Sequence, residues 1–321
     1  MISDPVLPAI GGKDYPIYRG SLFRFWNAHG VPQQKYKFFD VKELTDLNLY
    51  RGVLAEVVGT YLFYFVHVGI NASVRGVANV TWYTSIGNAL CYWFLLLVLG
   101  STSGGHFNPL ITISTIATGY TTLFRGVVYF LFQLFAGYLS GCTIYGIFGD
   151  VIVSVTPQCG YWMKDGTTST GNYVLFLAIL DLLLLLCVYA VSLDGRASSI
   201  FGPIMSSLLV ALSYGLVIFT GIGFSAFPAN TNPNDDQDLV GYEYLGINPA
   251  FCTAAAAVWN QSDVDNPDNW AAGLGYCFAG LLVGIIIHTL YYYASLPAVA
   301  NFDNQDEEIA RNKLMLDIKV V

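Results

Sequence analysis

The chain of 321 residues is 55% hydrophobic and only 11% charged, with a mean hydropathy of +0.53 and a formal net charge of −8. Soluble domains carry about 25% charged residues, so this composition excludes an ordinary soluble globular protein. A helix needs about 20 apolar residues to cross a bilayer, and the sequence has six such stretches, at 51–70, 83–101, 126–148, 173–192, 202–224 and 271–296. The predicted fold class is therefore an all-α membrane protein with six transmembrane helices.

The two ends of the chain lie outside these spans. Residues 1–50 mix charged, proline and aromatic residues and contain no apolar core of signal-peptide length, so we expect no cleaved leader. We interpret them as a cytoplasmic segment whose aromatic side chains rest on lipid headgroups or on the bundle; the alternative is a motif that binds a partner. The polar tail 297–321 is also expected to be solvated, which leaves 51–296 as one membrane domain.

The basic residues predict the orientation of the chain. Twelve of the 14 Lys and Arg lie before the first span, after the last, or in the connections after spans two and four. Only Arg75 and Lys164 fall in the remaining connections. Because cytoplasmic connections carry the excess of basic residues, both termini are predicted to be cytoplasmic and 71–82, 149–172 and 225–269 to face outside. The protein is expected to be integral to the plasma membrane or an endomembrane.

The predicted outer connections contain three possible N-glycosylation acceptors, at Asn71, Asn79 and Asn260. The cysteines show no metal-binding spacing, and we interpret most of them as small core residues of helices. We therefore expect no disulfide framework. The six cysteines are Cys91, Cys142, Cys159, Cys187, Cys252 and Cys277.

An internal repeat divides the chain into two halves, at about 51–148 and 173–296. In each half an Asn-Pro dipeptide follows the second span and opens a short apolar segment, 109–118 or 249–259. Such a segment makes about 15 Å of helix, which is half a bilayer. An odd number of spans in each half gives the two halves opposite orientations, the pattern of an inverted repeat. The two boxes are Asn108, Pro109, Leu110 and Asn248, Pro249, Ala250.

The chemistry of these boxes favours a pore. Proline suits the first turn of a helix and asparagine the position before it. Two half-helices that enter from opposite faces bring their positive dipole ends together at the midplane, where each amounts to roughly half an elementary charge. The asparagine amides can donate to a passing oxygen, while the positive ends repel cations and protons.

The motifs resemble those of the aquaporin (major intrinsic protein) family. Residues 103–112, SGGHFNPLIT, are similar to the SG-(G/A)-H-x-NPA-V-T box of that family, and 246–250, GINPA, to its second box. Ala55-Glu56 with Gly59-Thr60 resembles the opening of its first span. The resemblance covers about 50–296 and implies six spans, two half-helices and a homotetramer with one pore per protomer. Gly137, Gly141 and Gly146 on span three offer small surfaces for the helix contacts of such an assembly; the alternative is that they serve packing within a protomer.

The sequence departs from the family close to the predicted pore. Leu110 is bulkier than the usual alanine, and Phe251 stands where the family has the arginine of its outer selectivity filter. Without that arginine the constriction is neutral, and either wider or plugged by the Phe251 ring. By the resemblance, the other filter positions are Asn88, Tyr214 and Leu245. Tyr214 and Asn88 are expected to supply hydrogen-bond donors; the alternative for Tyr214 and Phe251 is core or lipid-facing packing.

An acidic residue that is buried in a transmembrane span usually has a functional or structural role. Glu56 and Asp181 are interpreted as acceptors that hold the half-helix loops, although Leu177 stands where the family has its fourth-span glutamate. His106 is expected to fix the first box by hydrogen bonding. His67 and His288 are interpreted as satisfied structural residues.

The predicted function is a passive channel for water or small neutral solutes. The alternative is an aquaporin-like protein with a closed pore that serves adhesion or a larger assembly. No nucleophile–base pair, phosphate loop or metal cluster indicates an enzyme, and two buried acids are too few for a proton relay. We expect no catalytic residue, cofactor, metal or nucleic acid; the expected partners are lipid, the transported solute and further copies of the chain.

Overall fold

The computed structural model describes residues 38–39, 41–74, 79–157, 159, 161–162, 170–193, 195–225, 227–228, 239–242, 244–261, 274–292 and 294. The predictions for Arg75, Lys164, most of 1–50 and the tail 297–321 lie outside these residues.

Six helices of the described chain are long and apolar enough to cross a membrane. Two shorter helices, α3 and α7, begin at the two Asn-Pro boxes. The predicted all-α architecture of six spans and two half-helices is confirmed. The helices are α1 Leu47–Ser73, α2 Val80–Ser103, α3 Pro109–Ala117, α4 Leu123–Phe148, α5 Thr170–Val188, α6 Gly195–Ser225, α7 Pro249–Gln261 and α8 Leu274–Tyr292.

Local chemistry sets where these helices begin and bend. Helix α1 starts four residues before the predicted 51 because Asp46 caps it, accepting a hydrogen bond from the Asn48 backbone N–H at 2.9 Å. Helix α6 is interrupted at Gly202, whose φ of 64° suits glycine. Its membrane-crossing part is Ile204–Phe224.

Large apolar side chains cover the outside of the bundle, among them Phe94, Leu131 and Ile204. Lipid tails solvate such a surface without cost, so these residues need no cover within one protomer. The buried interior instead concentrates polar side chains around the half-helices, including Glu56, Gln133, Asn108 and Asn248.

Two glycines of α4 let the second half-helix, α7, pack directly against the α4 backbone. A Cβ atom at Gly137 would lie 2.2 Å from the Ala250 carbonyl oxygen, and one at Gly141 would lie 2.2 Å from the Ala254 carbonyl oxygen. Their lack of a side chain therefore serves packing inside the protomer, which for these two glycines is the alternative that the sequence left open. Gly146 has no neighbour within 4 Å of such a Cβ atom.

The connections after α4 and α6 pair with each other in a small antiparallel sheet. Its strands are β1 Tyr161–Trp162, β2 Phe227–Pro228 and β3 Leu239–Tyr242, with β3 in the middle. Tyr161 is opposite Tyr242, and Phe227 is opposite Val240. The pairing brings both connections to the same end of the bundle.

A disulfide joins Cys159, in the connection after α4, to Cys252 in the first turn of α7. For these two cysteines the interpretation as unpaired core residues is wrong. Sequence spacing did not indicate the pair, because its members are 93 residues apart, one in the connection between the two halves and the other in the second half.

At the other end of the bundle, a 3-10 helix, Val41–Thr45, packs on the start of α4. Glu43 is fully buried, and its Oε1 accepts a hydrogen bond from Nε of Arg125 at 2.8 Å. Its Oε2 accepts from the Thr122 hydroxyl. The Phe38 carbonyl oxygen accepts from the Leu123 backbone N–H at 3.0 Å, so the residues ahead of α1 are tied to α4 at several points.

Candidate functional site: the half-helix junction

The two Asn-Pro boxes have the same local geometry. Asn108 has extended backbone, and its Oδ1 accepts from the Leu110 N–H at 2.9 Å, with Pro109 in the first turn of α3. Asn248 Oδ1 accepts from the Ala250 N–H at 3.1 Å at the start of α7. Each asparagine thus satisfies one of the unpaired donors at a helix N-terminus.

The remaining amide groups link the half-helices to each other. Asn108 Nδ2 donates to the Ile247 carbonyl oxygen at 2.8 Å, and Asn248 Nδ2 donates to the Phe107 carbonyl oxygen at 3.1 Å. The bonds are reciprocal, as an inverted repeat requires. The positive dipole ends of α3 and α7 therefore meet inside the bundle, at two asparagines that are each no more than 1% exposed.

A buried carboxylate holds the loop before α3. Glu56 Oε1 accepts from the His106 N–H at 3.0 Å, and Oε2 accepts from the Phe107 N–H at 2.7 Å. Gln133 Nε2 also donates to Oε2, at 2.7 Å. The loop needs this support because Phe107 has a φ of 45°, which is unusual for a residue with a side chain.

His106 contributes its ring to the same loop. Its Nδ1 lies 3.1 Å from the Thr112 hydroxyl, which also donates to Gln133 Oε1 at 3.0 Å. The first box is thus tied to α1, α3 and α4 by one continuous set of hydrogen bonds.

The loop before α7 is held differently. Asp181 is buried, but neither of its carboxylate oxygens has a hydrogen-bond partner among the described residues. The expectation that Asp181 supports this loop is therefore wrong. Leu177, one turn earlier, packs against Gly246 so closely that a Cβ atom there would lie 2.6 Å from the leucine methyls. The Cys277 thiol donates to the Gly246 carbonyl oxygen at 3.3 Å.

Three of the predicted filter residues, Phe251, Asn88 and Tyr214, are buried. The Phe251 ring lies 5.0 Å from Phe63, 5.1 Å from Tyr64 and 5.1 Å from His67, all on α1. His67 Nδ1 is 2.9 Å from Asn88 Oδ1, so the histidine stands between Phe251 and Asn88. The side chain of Leu245 lies outside the described residues.

Asn88 has a polar partner on its own helix, whereas Tyr214 packs against other rings. Asn88 Nδ2 donates to the Thr84 carbonyl oxygen at 2.8 Å. The buried Tyr214 ring lies 5.1 Å from Phe63 and 5.4 Å from Tyr92, measured between ring centroids. Asn71 Nδ2 extends the outer polar chain by donating to His67 Nε2 at 3.1 Å.

Two residues that sequence reasoning passed over, Phe63 and Tyr92, complete the centre of the bundle. The rings of Phe63, Tyr92 and Tyr214, here called the ring triad, have centroids 5.0, 5.1 and 5.4 Å apart. A signal for both was available in the sequence. Phe63 lies two helical turns after Glu56, and Tyr92 lies one turn after Asn88, so each shares a face with a residue already singled out.

A cavity of about 140 Å³ lies beside Tyr92. It is bordered by the ends of α2 and α5, part of α6 and the loop before α3. The exposed side chains of Leu97 and Ile204 also line it, so it opens toward the outer surface of the bundle. Among its lining residues are Tyr92, Gly105, His106, Ile111, Val188 and Val210.

The possible glycosylation acceptors differ in exposure. Asn79 and Asn260 are exposed, whereas Asn71 is half-buried beside His67. Among the described residues, no group of three His, Cys, Asp or Glu side chains is arranged to hold a metal ion.

Comparison with known proteins gives matches over most of the chain. Residues 43–235 match the family model described as major intrinsic protein. The probable aquaporin TIP4-1 of Oryza sativa subsp. japonica is 30% identical over 78% of this chain and 91% of its own length. Aquaporin TIP4-4 of Zea mays is 31% identical over 78% of this chain and 90% of its own length. Aquaporin-5 of Rattus norvegicus is 26% identical over 80% of this chain and 85% of its own length.

A solved structure has a similar fold. The X-ray structure of the aquaglyceroporin from Plasmodium falciparum superimposes with a TM-score of 0.58, at 21% identity, over 79% of this chain and 99% of that one. At this identity the match bears on the fold alone.

Proposed function

The chain belongs to the major intrinsic protein family, and on that premise we propose that its pore conducts water and small neutral solutes and rejects cations. Family membership makes the protein an integral membrane channel for water or small solutes, and not an enzyme. It also favours a channel over the alternative of a closed pore with a role in adhesion.

The reciprocal hydrogen bonds of Asn108 and Asn248 carry the neutral-solute proposal. They hold two helix N-termini against each other inside the bundle. A cation at this point would be repelled by two positive helix dipole ends. The oxygen of a water molecule or of a neutral hydroxyl can instead accept a hydrogen bond from an N–H group of the asparagines.

Swelling of proteoliposomes tests the proposal. We expect osmotic water flux above that of protein-free liposomes, slower entry of glycerol and urea, and no potassium flux. Asn108→Asp replaces the N–H donor to the Ile247 carbonyl with a carboxylate oxygen, and it should abolish the water flux. Asn260→Asp makes the same chemical change at an exposed position and should have no effect. Potassium flux, or water flux no faster than in protein-free liposomes, would contradict the proposal.

We also propose that both termini are cytoplasmic, with 1–50 and 297–321 as cytoplasmic segments around the channel domain 51–296. The disulfide of Cys159 supports this orientation, because such bonds persist in oxidising compartments outside the cytoplasm. The β1–β3 and β2–β3 pairing supports placing 149–172 and 225–269 on one side. Labelling of a cysteine at position 230 only from the cytoplasmic side would contradict this topology.

The assembly proposed is a homotetramer, as the family resemblance implies. The apolar outer surface of the bundle is compatible with either lipid or protein neighbours. A detergent-corrected mass equal to one protomer under mild conditions would contradict the proposal.

A further inference from the structure

We propose that the ring triad, and Tyr92 in particular, is the gate of this channel: the pore is closed at the triad until the Tyr92 ring turns away. This inference rests on the proposed function, since a gate has meaning only in a conducting pore. It places the narrowest part of the pore at the centre of the bundle, whereas the sequence predicted it at the outer filter.

The first argument is steric. Phe63, Tyr92 and Tyr214 come from three different spans, α1, α2 and α6, and their rings touch pairwise. Aromatic rings at centroid separations of about 5 Å are in van der Waals contact. All three side chains are no more than 2% exposed. The triad therefore leaves no path for water between its members.

The second argument concerns the polar groups beside the triad. The Tyr92 hydroxyl lies 3.2 Å from the Gly105 carbonyl oxygen and 3.2 Å from the His106 carbonyl oxygen, so one O–H group serves both. The Tyr92 hydroxyl thus occupies two carbonyl groups that would otherwise bind water in the pore. Because buried polar groups must be satisfied, these bonds stabilise the closed arrangement.

The third argument is that free space lies beside the Tyr92 ring, into which the ring can rotate. Tyr92 lines the cavity of about 140 Å³ described above. A cavity of about 150 Å³ holds a molecule of benzene, so the space is adequate for an aromatic ring. Turning Tyr92 into the cavity would expose the Gly105 and His106 carbonyls to water and separate the triad without moving a helix.

Two substitutions separate the roles of the ring and the hydroxyl. Tyr92→Val removes both and should raise osmotic water flux by about tenfold or more. Tyr92→Phe keeps the ring but removes the hydroxyl that donates to the Gly105 and His106 carbonyl oxygens. Loss of a hydrogen bond worth about 1 kcal/mol corresponds to roughly a fivefold rise in the open fraction. Both variants should also show a weaker dependence of flux on temperature, because less opening energy is required.

The controls locate the effect. Tyr120→Val removes a buried tyrosine that contacts Tyr189 and Tyr292, away from the triad, and should leave the flux unchanged. Phe251→Ala enlarges the outer side of the triad and should raise the flux less than Tyr92→Val does. Size-exclusion profiles and helical content confirm that each variant is folded.

Three results would overturn the inference. If the unaltered chain conducts and the folded Tyr92 variants match it, the gate assignment is wrong while the channel function stands. If Phe251→Ala raises the flux more than Tyr92→Val, the constriction lies at the outer mouth. If water flux through the unaltered chain does not exceed that of protein-free liposomes, the proposed function fails and the gate fails with it.

Discussion

At the scale of single residues, the two buried acids of the repeat have opposite surroundings. Glu56 accepts three hydrogen bonds, from two backbone N–H groups and from Gln133. Asp181 has none within the part of the chain that the structure describes. Sequence reasoning treated them alike because both are acids in apolar spans. Only the three-dimensional placement shows that one is satisfied and the other is not.

This contrast predicts opposite effects of the same chemical change. Glu56→Gln turns an acceptor into a donor facing backbone N–H groups and should lower the stability of the fold by about 1–3 kcal/mol. Asp181→Asn removes an unpaired buried acid and should leave stability unchanged or raise it. Thermal denaturation of purified protein in detergent measures both. Equal losses in the two variants would show that Asp181 also holds a partner.

At the scale of helices, the position of α7 depends on two glycines of α4. Gly137→Ala places a methyl group 2.2 Å from the Ala250 carbonyl oxygen, so α7 must move away. Overpacking of this kind costs about 1–3 kcal/mol, and we expect a lower melting temperature together with reduced water flux. Gly146→Ala, on the same helix, meets nothing within 4 Å and serves as the matched control. It should leave both quantities unchanged or slightly raise stability, since alanine favours helix.

Length and hydropathy were enough to predict the helices, because a bilayer imposes one span length on every crossing segment. The half-helices could be predicted because Asn108 and Asn248 each precede a proline. What could not be predicted is which faces meet. Helical spacing from Glu56 and Asn88 places Phe63 and Tyr92 on inward faces of α1 and α2, but it does not show that both rings meet Tyr214 of a third span.

At the scale of the whole molecule, the two half-helices are anchored by different chemistry. A carboxylate on α1 holds the loop before α3, whereas α7 is tied through Cys252 to the connection after α4. No spacing rule predicts such a bond, since disulfide connectivity cannot be deduced from sequence alone.

Removal of the disulfide is expected to destabilise the second half of the repeat. Cys159→Ala should lower stability by about 2–4 kcal/mol, the usual range for a bond closing a long loop. Reductant should destabilise the unaltered chain by a similar amount and have no further effect on the variant. Cys187→Ala changes a half-buried cysteine outside any disulfide and is the control. A reductant effect that persists in Cys159→Ala would contradict this account.

The close contact between α4 and α7 bears on which part of the channel can move. With Gly137 and Gly141 packed on the α7 backbone, the half-helix is part of a close-packed interior that cannot slide without disturbing its neighbours. Opening of the gate proposed at Tyr92 is then left to a side chain. In a population of such channels, a smaller open fraction would be measured as a lower average permeability per channel.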